Sequence, residues 1–385
     1  MPTRINIAYL IDVMSSCTAG TEKQLLQMIR LLDRERYTPH LICLLGSDWL
    51  ERHASEIPCR IHVLNYDGFI SPRFPLVVNQ LMKIIKAEQI HILQTFFDDS
   101  IIVGWSAVML SRPRPVLITS RRDMGLGAGT PWYHDLYRIV LPIINRSTDG
   151  IVANGLSIRE YASRREMTPK GRIAVIHNGI FLPPKATPPG IFRSVSSDIW
   201  VGIVANLQHV KRIDTFIRAL ATVKASCNIK VNGIILGSGQ LLHELKSLAS
   251  QLNVQDEVHF LGSVNNVTDY LQHLQIGVLC SEREGFSNSV IEYMACSLPV
   301  VASAVGGNLE LVDDNNGILF PPGDHEALAG ALIKLIHSPR IREEMGAVSR
   351  QKVVSRFLWE PIMDKWDHYY MSFMEQEKHA RADLS

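Results

Sequence analysis

Two glutamates separated by seven residues, Glu284 and Glu292, bracket the stretch of this chain best equipped for chemistry. Between them lie Gly285, Phe286, Ser287, Asn288, Ser289, Val290 and Ile291. A tight Gly-Phe turn follows the first carboxylate, and a helical pattern carries the second. Ser287 and Asn288 are both good N-caps, so the helix is expected to begin there. The backbone N–H groups of residues 285–289 and the helix dipole then suit a phosphate. Glu292, one turn past Asn288, lies on the same helix face. A carboxylate there accepts hydrogen bonds from hydroxyls. The chemistry implied is an anion at a helix start with polyols on either side, as in a nucleotide-sugar. The plainer alternative is a surface loop and an amphipathic helix carrying two unrelated acids.

Other residues of suitable type cluster after apolar runs. Asn206-Leu207-Gln208-His209-Val210-Lys211-Arg212 places a lysine just before a helix, where it can meet a diphosphate. Ser120-Arg121-Arg122-Asp123 offers two guanidiniums able to bind phosphate bidentately, and a Gly125–Gly127–Gly129 run follows. Gly20 and Thr21, in Ala19-Gly20-Thr21-Glu22, form a small-residue turn entering a helix. Gly237, Gly239, Gly262 and the pair Gly306-Gly307 are further turns that let backbone approach a ligand. Each taken alone is an ordinary turn; together they fall at the carboxyl ends of strands.

The elements that must position these residues alternate. Strands are expected at 5–10, 41–45, 61–64, 90–94, 116–119, 150–153 and 173–176, then at 199–205, 231–236, 258–261, 275–280, 300–302 and 318–320. Amphipathic helices fall between, for example 22–32 with Leu25, Leu26, Ile29 and Leu32 on one side. Strands alternating with helices predict α/β architecture with parallel, doubly wound sheets. Ligands bind outside the carboxyl ends of strands in such sheets. The chain length of 385 residues favours two domains. The Pro-rich stretch 183–190, after His177-Asn178-Gly179, is the best boundary. The expected division is 1–182, a linker 183–198, 199–358 and a final helical segment 359–385, whose aromatics Trp359, Trp366, Tyr369 and Tyr370 read as core.

Composition excludes several classes. The apolar fraction is 46% and the net charge +1, which gives large cores and no nucleic-acid signal. Residues 111–172 carry eleven basic and five acidic side chains, a local surplus suited either to a solvated face or to anionic lipid. Six scattered cysteines without a Cys-x-x-Cys pair fit reduced thiols rather than a disulfide scaffold or a zinc site. Neither a secretory signal nor a membrane-spanning run is evident, and no Asp-x-Asp stands on a convincing metal loop. The expectation is a cytoplasmic protein, with at most peripheral contact at the inner membrane face, and no metal or other cofactor.

The string from Glu284 to Ala295 resembles the donor-binding motif of the retaining glycosyltransferases of the GT-B fold, the large family 4 group. That resemblance implies two Rossmann-like domains facing each other across a cleft, with the last helix crossing back to the first domain. It implies that Glu284 contacts the donor sugar and Glu292 the ribose. Ala19-Gly20-Thr21-Glu22 is similar to the family's Gly-Gly-x-Glu loop, with Ala19 for the first glycine. Lys211 matches a family lysine on the diphosphate, whereas Gln208 stands where relatives carry Arg, leaving Arg212 or Arg121 as substitutes. Arg121 also occupies the place of a family histidine, and the surrounding string resembles a subgroup tied to bacterial exopolysaccharide synthesis. The implied activity is transfer, with retention and without a metal, from a UDP- or GDP-sugar to a saccharide or lipid-linked acceptor. Glu284, Lys211 and Arg121 would act in catalysis. Gly20, Thr21, Arg122, Asn206, Arg212, Gly237, Gly239, Gly262, Gly285, Phe286, Ser287, Asn288, Ser289 and Glu292 would bind substrate. The rival readings are a nucleotide-sugar 2-epimerase of similar fold and a degenerate sugar-nucleotide-binding protein.

Overall fold

In the computed structural model, residues 4–17, 19–66, 68, 71–122, 134–193 and 198–382 are described. Asp123 and the glycine run at 125–129 lie outside them. The chain divides into two compact units, one of residues 1–178 with 360–385, the other of residues 179–359.

The first unit holds strands β1 (Ile5–Val13), β2 (Tyr37–Leu45), β3 (Arg60–Val63), β4 (Ile92–Phe96), β5 (Val116–Arg121), β6 (Gly150–Ala153) and β7 (Ile173–Val175). They form one sheet in the order β3-β2-β1-β4-β5-β6-β7, and each observed pairing is parallel. Every residue of β4, β5 and β6 is buried, so these strands show no alternation of buried and exposed positions. Two boundaries differ instructively from the sequence pattern. β2 begins four residues early because Tyr37 pairs with Ile5; Pro39 is tolerated inside it because β3 pairs only from His40 onward, leaving one flank open. β5 runs two residues long, so Arg121 is the last residue of a buried strand and not the first of a loop.

The second unit holds β8 (Ile199–Val204), β9 (Val231–Leu236), β10 (Val258–Gly262), β11 (Ile276–Leu279), β12 (Val300–Ser303) and β13 (Gly317–Phe320), in the order β10-β9-β8-β11-β12-β13, again all parallel. Apolar side chains fill both faces: Ile203, Phe216, Ile217 and Leu332 on one, Leu279, Ile291, Met294 and Leu311 on the other. Both units are thus Rossmann-like, three-layered α/β folds. The Pro-rich stretch does not lie between them. It belongs to the second unit, where Ile180, Leu182, Ile191 and Phe192 pack against the core and Gln272 donates to the carbonyl of Pro184 at 2.8 Å. Apolar anchors on both sides of the prolines outweigh the linker signal of composition.

The last helix, Trp359–Ala382, starts in the second unit with buried Trp359 and groups with the first from Glu360. Its aromatics explain this. Tyr370 stacks on Trp366 at 5.4 Å and meets the edge of Tyr37 at 6.0 Å, and its hydroxyl donates to Gln94 Oε1 at 2.5 Å. Tyr37 in turn donates to Asp367 at 2.7 Å. Truncating Trp366 to alanine is expected to destabilise the protein by about 3–5 kcal/mol, the usual cost of emptying a fully buried Trp site. Urea unfolding of Trp366→Ala checks this, and a change below about 1 kcal/mol would contradict the packing described.

Candidate functional site

In the second sheet the strand order reverses between β8 and β11, and a doubly wound sheet opens a ligand crevice outside such a switch point. The loops that leave these two strands carry Lys211 and Glu284. Their side chains meet there, with Lys211 Nζ 2.5 Å from Glu284 Oε1. Ser281 Oγ donates to the same oxygen at 2.6 Å. The two loops are also tied through the backbone, because Glu282 N donates to Val210 O at 2.8 Å. A second tie comes from the following helix, Asn288–Ala295. Ser289 donates to Val204 O at 2.8 Å, and Tyr293 bridges β8 and β11 by accepting from Val204 N at 2.7 Å and donating to Val278 O at 3.0 Å. The helix begins at Asn288 with Ser287 as its cap, the Ser287 side chain accepting from Val290 N at 3.3 Å. Glu292 lies in this helix and is buried, as is Phe286, whose ring sits 5.6 Å from Phe357.

Glycines make the approach of neighbouring loops feasible. Gly306 has φ +47°, and a Cβ there would fall 1.8 Å from the carbonyl oxygen of Glu284. No rotamer change relieves a clash with backbone, so position 306 must be glycine for the Glu284 turn to keep its place. Gly237 has φ +141°, with a Cβ predicted 2.1 Å from Ala205 O, and it donates to Gly262 O at 2.8 Å. Gly239 likewise has no room, since its Cβ would lie 2.5 Å from Leu207 O. At Gly307 an added Cβ would fall 2.1 Å from the carbonyl oxygen of Gly285. Asn206 continues the β8 loop, its carbonyl accepting from Gln208 N at 2.9 Å.

The expected arginines are placed differently from the lysine. Arg212 sits in the left-handed region at φ 48° and is held by Asp214 (3.1 Å) and Glu282 (2.8 Å). Hydrogen bonds to these two carboxylates, Asp214 first, raise its pKa above the ordinary value. With Gln208, Arg218 and Glu244 it lines a cavity of about 550 Å³ within the second unit. Its charge is therefore committed to two acids, unlike the role of spare phosphate cation expected from sequence. Arg121 is buried on Glu166, with Nε to Oε1 at 2.8 Å and Nη2 to Oε2 at 2.8 Å, and donates to Asn145 at 3.0 Å. Its strand position and bidentate partner correct the reading of a loop guanidinium open to donor phosphate. Arg122 lies over the rings of Phe96 (5.3 Å) and Trp366 (6.0 Å) and donates to Asn178 at 2.9 Å. Burial lowers its pKa to about 10.

At the first switch point, between β1 and β4, Gly20 and Thr21 open the helix Gly20–Leu31. Ala19 precedes it at φ −64°, a conformation that needs no glycine, so its departure from a Gly-Gly pair carries no strain. Glu22 accepts from Ser15 Oγ at 3.0 Å and Ser16 N at 2.8 Å, which fixes the turn. Two acids not singled out by sequence also lie here. Asp12 accepts from the backbone N–H of Ser100 at 2.9 Å and from its hydroxyl, and Asp99 accepts from Tyr137. Desolvation pushes the Asp12 carboxyl up to about 7. The available signal was an aspartate closing an apolar strand just ahead of a Gly-containing turn.

Known proteins show the same organisation. Residues 18–182 match the family model described as Glycosyltransferase Family 4, and residues 191–352 match Glycosyl transferases group 1. The N-acetyl-alpha-D-glucosaminyl L-malate synthase of Bacillus anthracis is 27% identical over 179 residues, 46% of either chain. The chain spans 39–60% of the length of the first curated relatives it matches. Among solved structures, a glycosyltransferase from Rickettsia africae superposes with TM-score 0.82 at 16% identity, covering 97% of this chain and 99% of that one. Anabaena HepE in complex with UDP and glucose gives TM-score 0.80 at 21% identity, covering 96% and 100%. These two likenesses establish the GT-B type of fold.

The Asp12 environment has a measurable consequence. A carboxyl raised in the folded state binds a proton that the unfolded chain, with a value of about 3.9, has lost. Its contribution is therefore fully present below about pH 4 and is lost as pH rises to about 7. Relative to Asp12→Asn, the wild-type protein should lose stability with a slope approaching about 1.4 kcal/mol per pH unit in that window. Urea unfolding of both proteins between about pH 4.5 and 7.5 checks it; parallel pH profiles would show that Asp12 titrates normally.

Proposed function

The chain belongs to the glycosyl transferases group 1 of glycosyltransferase family 4, and from that premise we propose that it moves a sugar, with retention of anomeric configuration, from a uridine nucleotide-sugar to a saccharide or lipid-linked saccharide acceptor in glycoconjugate synthesis. The observation that carries the proposal is the Lys211–Glu284 pair across the β8/β11 switch point. UDP in the Anabaena HepE complex supports the choice of base.

Breaking the bond between the sugar C1 and the phosphate oxygen leaves negative charge on the diphosphate. Catalysis needs positive charge and N–H dipoles fixed where that charge grows. Lys211 supplies the first and the start of helix Asn288–Ala295 the second, so this step calls for no metal. Glu284 has two tasks in this arrangement. Its ion pair holds Lys211 in position, and its hydroxyl-accepting oxygens recognise the sugar. When Lys211 turns toward phosphate, Ser281 remains as a donor to Glu284, so the carboxylate is not left without a partner. Glu292 reads the ribose. The acceptor attacks from the face the diphosphate leaves, and the departing phosphate takes its proton. Incubating the protein with radiolabelled nucleotide-sugars and a panel of acceptors tests the proposal. Glycosylated acceptor is the expected product; free nucleotide with an epimerised sugar, or binding without turnover, would replace it.

Glu284→Gln and Glu292→Gln are expected to separate. UDP binding should suffer mainly in Glu292→Gln, and discrimination between donor sugars mainly in Glu284→Gln. Calorimetric titration with UDP and with the intact donor distinguishes them, and equal losses in both variants would sink the division of roles.

Lys211→Ala should lower turnover about tenfold to a hundredfold, with a smaller effect on donor KM, as expected for a charge-assisted contact of about 1.5–3 kcal/mol that strengthens in the transition state. With Arg212 held by Asp214 and Glu282, Gln208→Arg should raise donor affinity or rate by supplying a second cation. Steady-state kinetics read both; unchanged turnover and KM in Lys211→Ala would remove this lysine from the site.

A further inference from the structure

At the edge of the first sheet, His40 on β2, His62 on β3 and Glu88 just beyond the helix Phe74–Ala87 converge, their ligand-type atoms all lying within 4.8 Å of one another. The register explains the meeting. His62 pairs with Ile42, so His40 is its diagonal neighbour on the same face of the sheet. Their rings lie nearly parallel with centroids 6.0 Å apart. Glu88 is held close by the adjacent strand, because Asn6 donates to its backbone carbonyl at 2.8 Å. We propose that these three side chains form a site for a divalent transition-metal ion, with Zn2+ the best match, which clips the edge strand to β2 and to the end of the helix.

Two observations beyond proximity point to a ligand. His40 is 3% exposed, yet its Nδ1 has no hydrogen-bond partner, and the Nε2 atom of the partly exposed His62 is also buried and unpartnered. A buried imidazole nitrogen without a partner costs free energy, and a metal ion satisfies it. The second is how Glu88 divides its oxygens. Oε2 takes the Arg60 guanidinium at 2.7 Å, whereas Oε1 faces His62 Nε2 at 3.9 Å, too long for a hydrogen bond. Ligand atoms about 2.0–2.2 Å from one tetrahedral ion lie roughly 3.3–3.5 Å apart, so closure needs shifts of well under 1 Å at this pair. Arg60 can then stay on Oε2 and orient a monodentate carboxylate, as outer partners do in metal sites. Two imidazoles and one carboxylate suit Zn2+ and its neighbours in the first transition row, while Mg2+ and Ca2+ favour sets built of oxygen. With three protein ligands the fourth position goes to water.

The site lies in the first unit, and the Lys211–Glu284 pair lies in the second. The test uses untagged full-length protein stripped with chelator. Equilibrium dialysis against Zn2+ should give one ion per chain and a raised melting temperature. Co2+ should give the d–d bands of a four-coordinate nitrogen and oxygen site. His62→Gln and Glu88→Gln, at part-exposed positions and checked for folding by circular dichroism, should each weaken Zn2+ binding about a hundredfold or more and abolish the thermal shift, with transferase activity retained. No bound Zn2+, binding unaffected by either variant, or thiolate-to-Co2+ charge-transfer bands reporting a cysteine site would each overturn the proposal.

Discussion

A lysine and a glutamate delivered by two different strand ends meet at the switch point of the second sheet. At 25% and 10% side-chain exposure, the Lys211–Glu284 pair is partly removed from water. Every neighbouring feature serves that meeting. Tyr293 and Ser289 hold the helix to the end of β8, Glu282 fastens one loop to the other, and glycine at 306 leaves the Glu284 turn the space it needs. The ion pair adds little to stability by itself. Under the proposed function, its value is that a cation is already held at the strand ends before any substrate arrives, ready to stabilise charge that develops later.

Much of this was legible in the sequence. The strand–helix alternation specified parallel sheets, and the Glu284–Glu292 string specified a cap at Ser287 or Asn288 followed by a helix, because both depend on local residue types; the structure has Ser287 as the cap. What was not legible depends on pairing between distant segments. Whether Arg121 was strand or loop turned on its register with Ala153, and whether its guanidinium was spare turned on Glu166, 45 residues away. The acid partners of Arg212 were hidden for the same reason, since only the fold brings Glu282 to it. Composition also does not show how the prolines pack, which the apolar residues on either side decide. His40, His62 and Glu88 carry no motif at all; their spacing is meaningful only once β3 is laid beside β2.

Substituting arginine for lysine at 211 would not be conservative here. A planar fork seeks two carboxylate oxygens, whereas Glu284 already shares one with Ser281. A compact ammonium can leave that oxygen for a phosphate and return. The same contrast separates the other cations: Arg121 and Arg212 are fixed by bidentate or paired acids, and the flexible lysine is left at the crevice.

The first unit is discontinuous, its strands coming early in the chain and its covering helix only after the whole second unit has been made. During synthesis, Tyr37 and Gln94, the partners of Tyr370, are therefore without their covering helix while the second sheet is translated and folds. Docking that helix is a non-local event of the kind that slows folding. A nascent chain in that interval presents aromatic surface to chaperones and to other chains, so the order of ribosomal output, and not only the sequence pattern, shapes how reliably this protein reaches its native state.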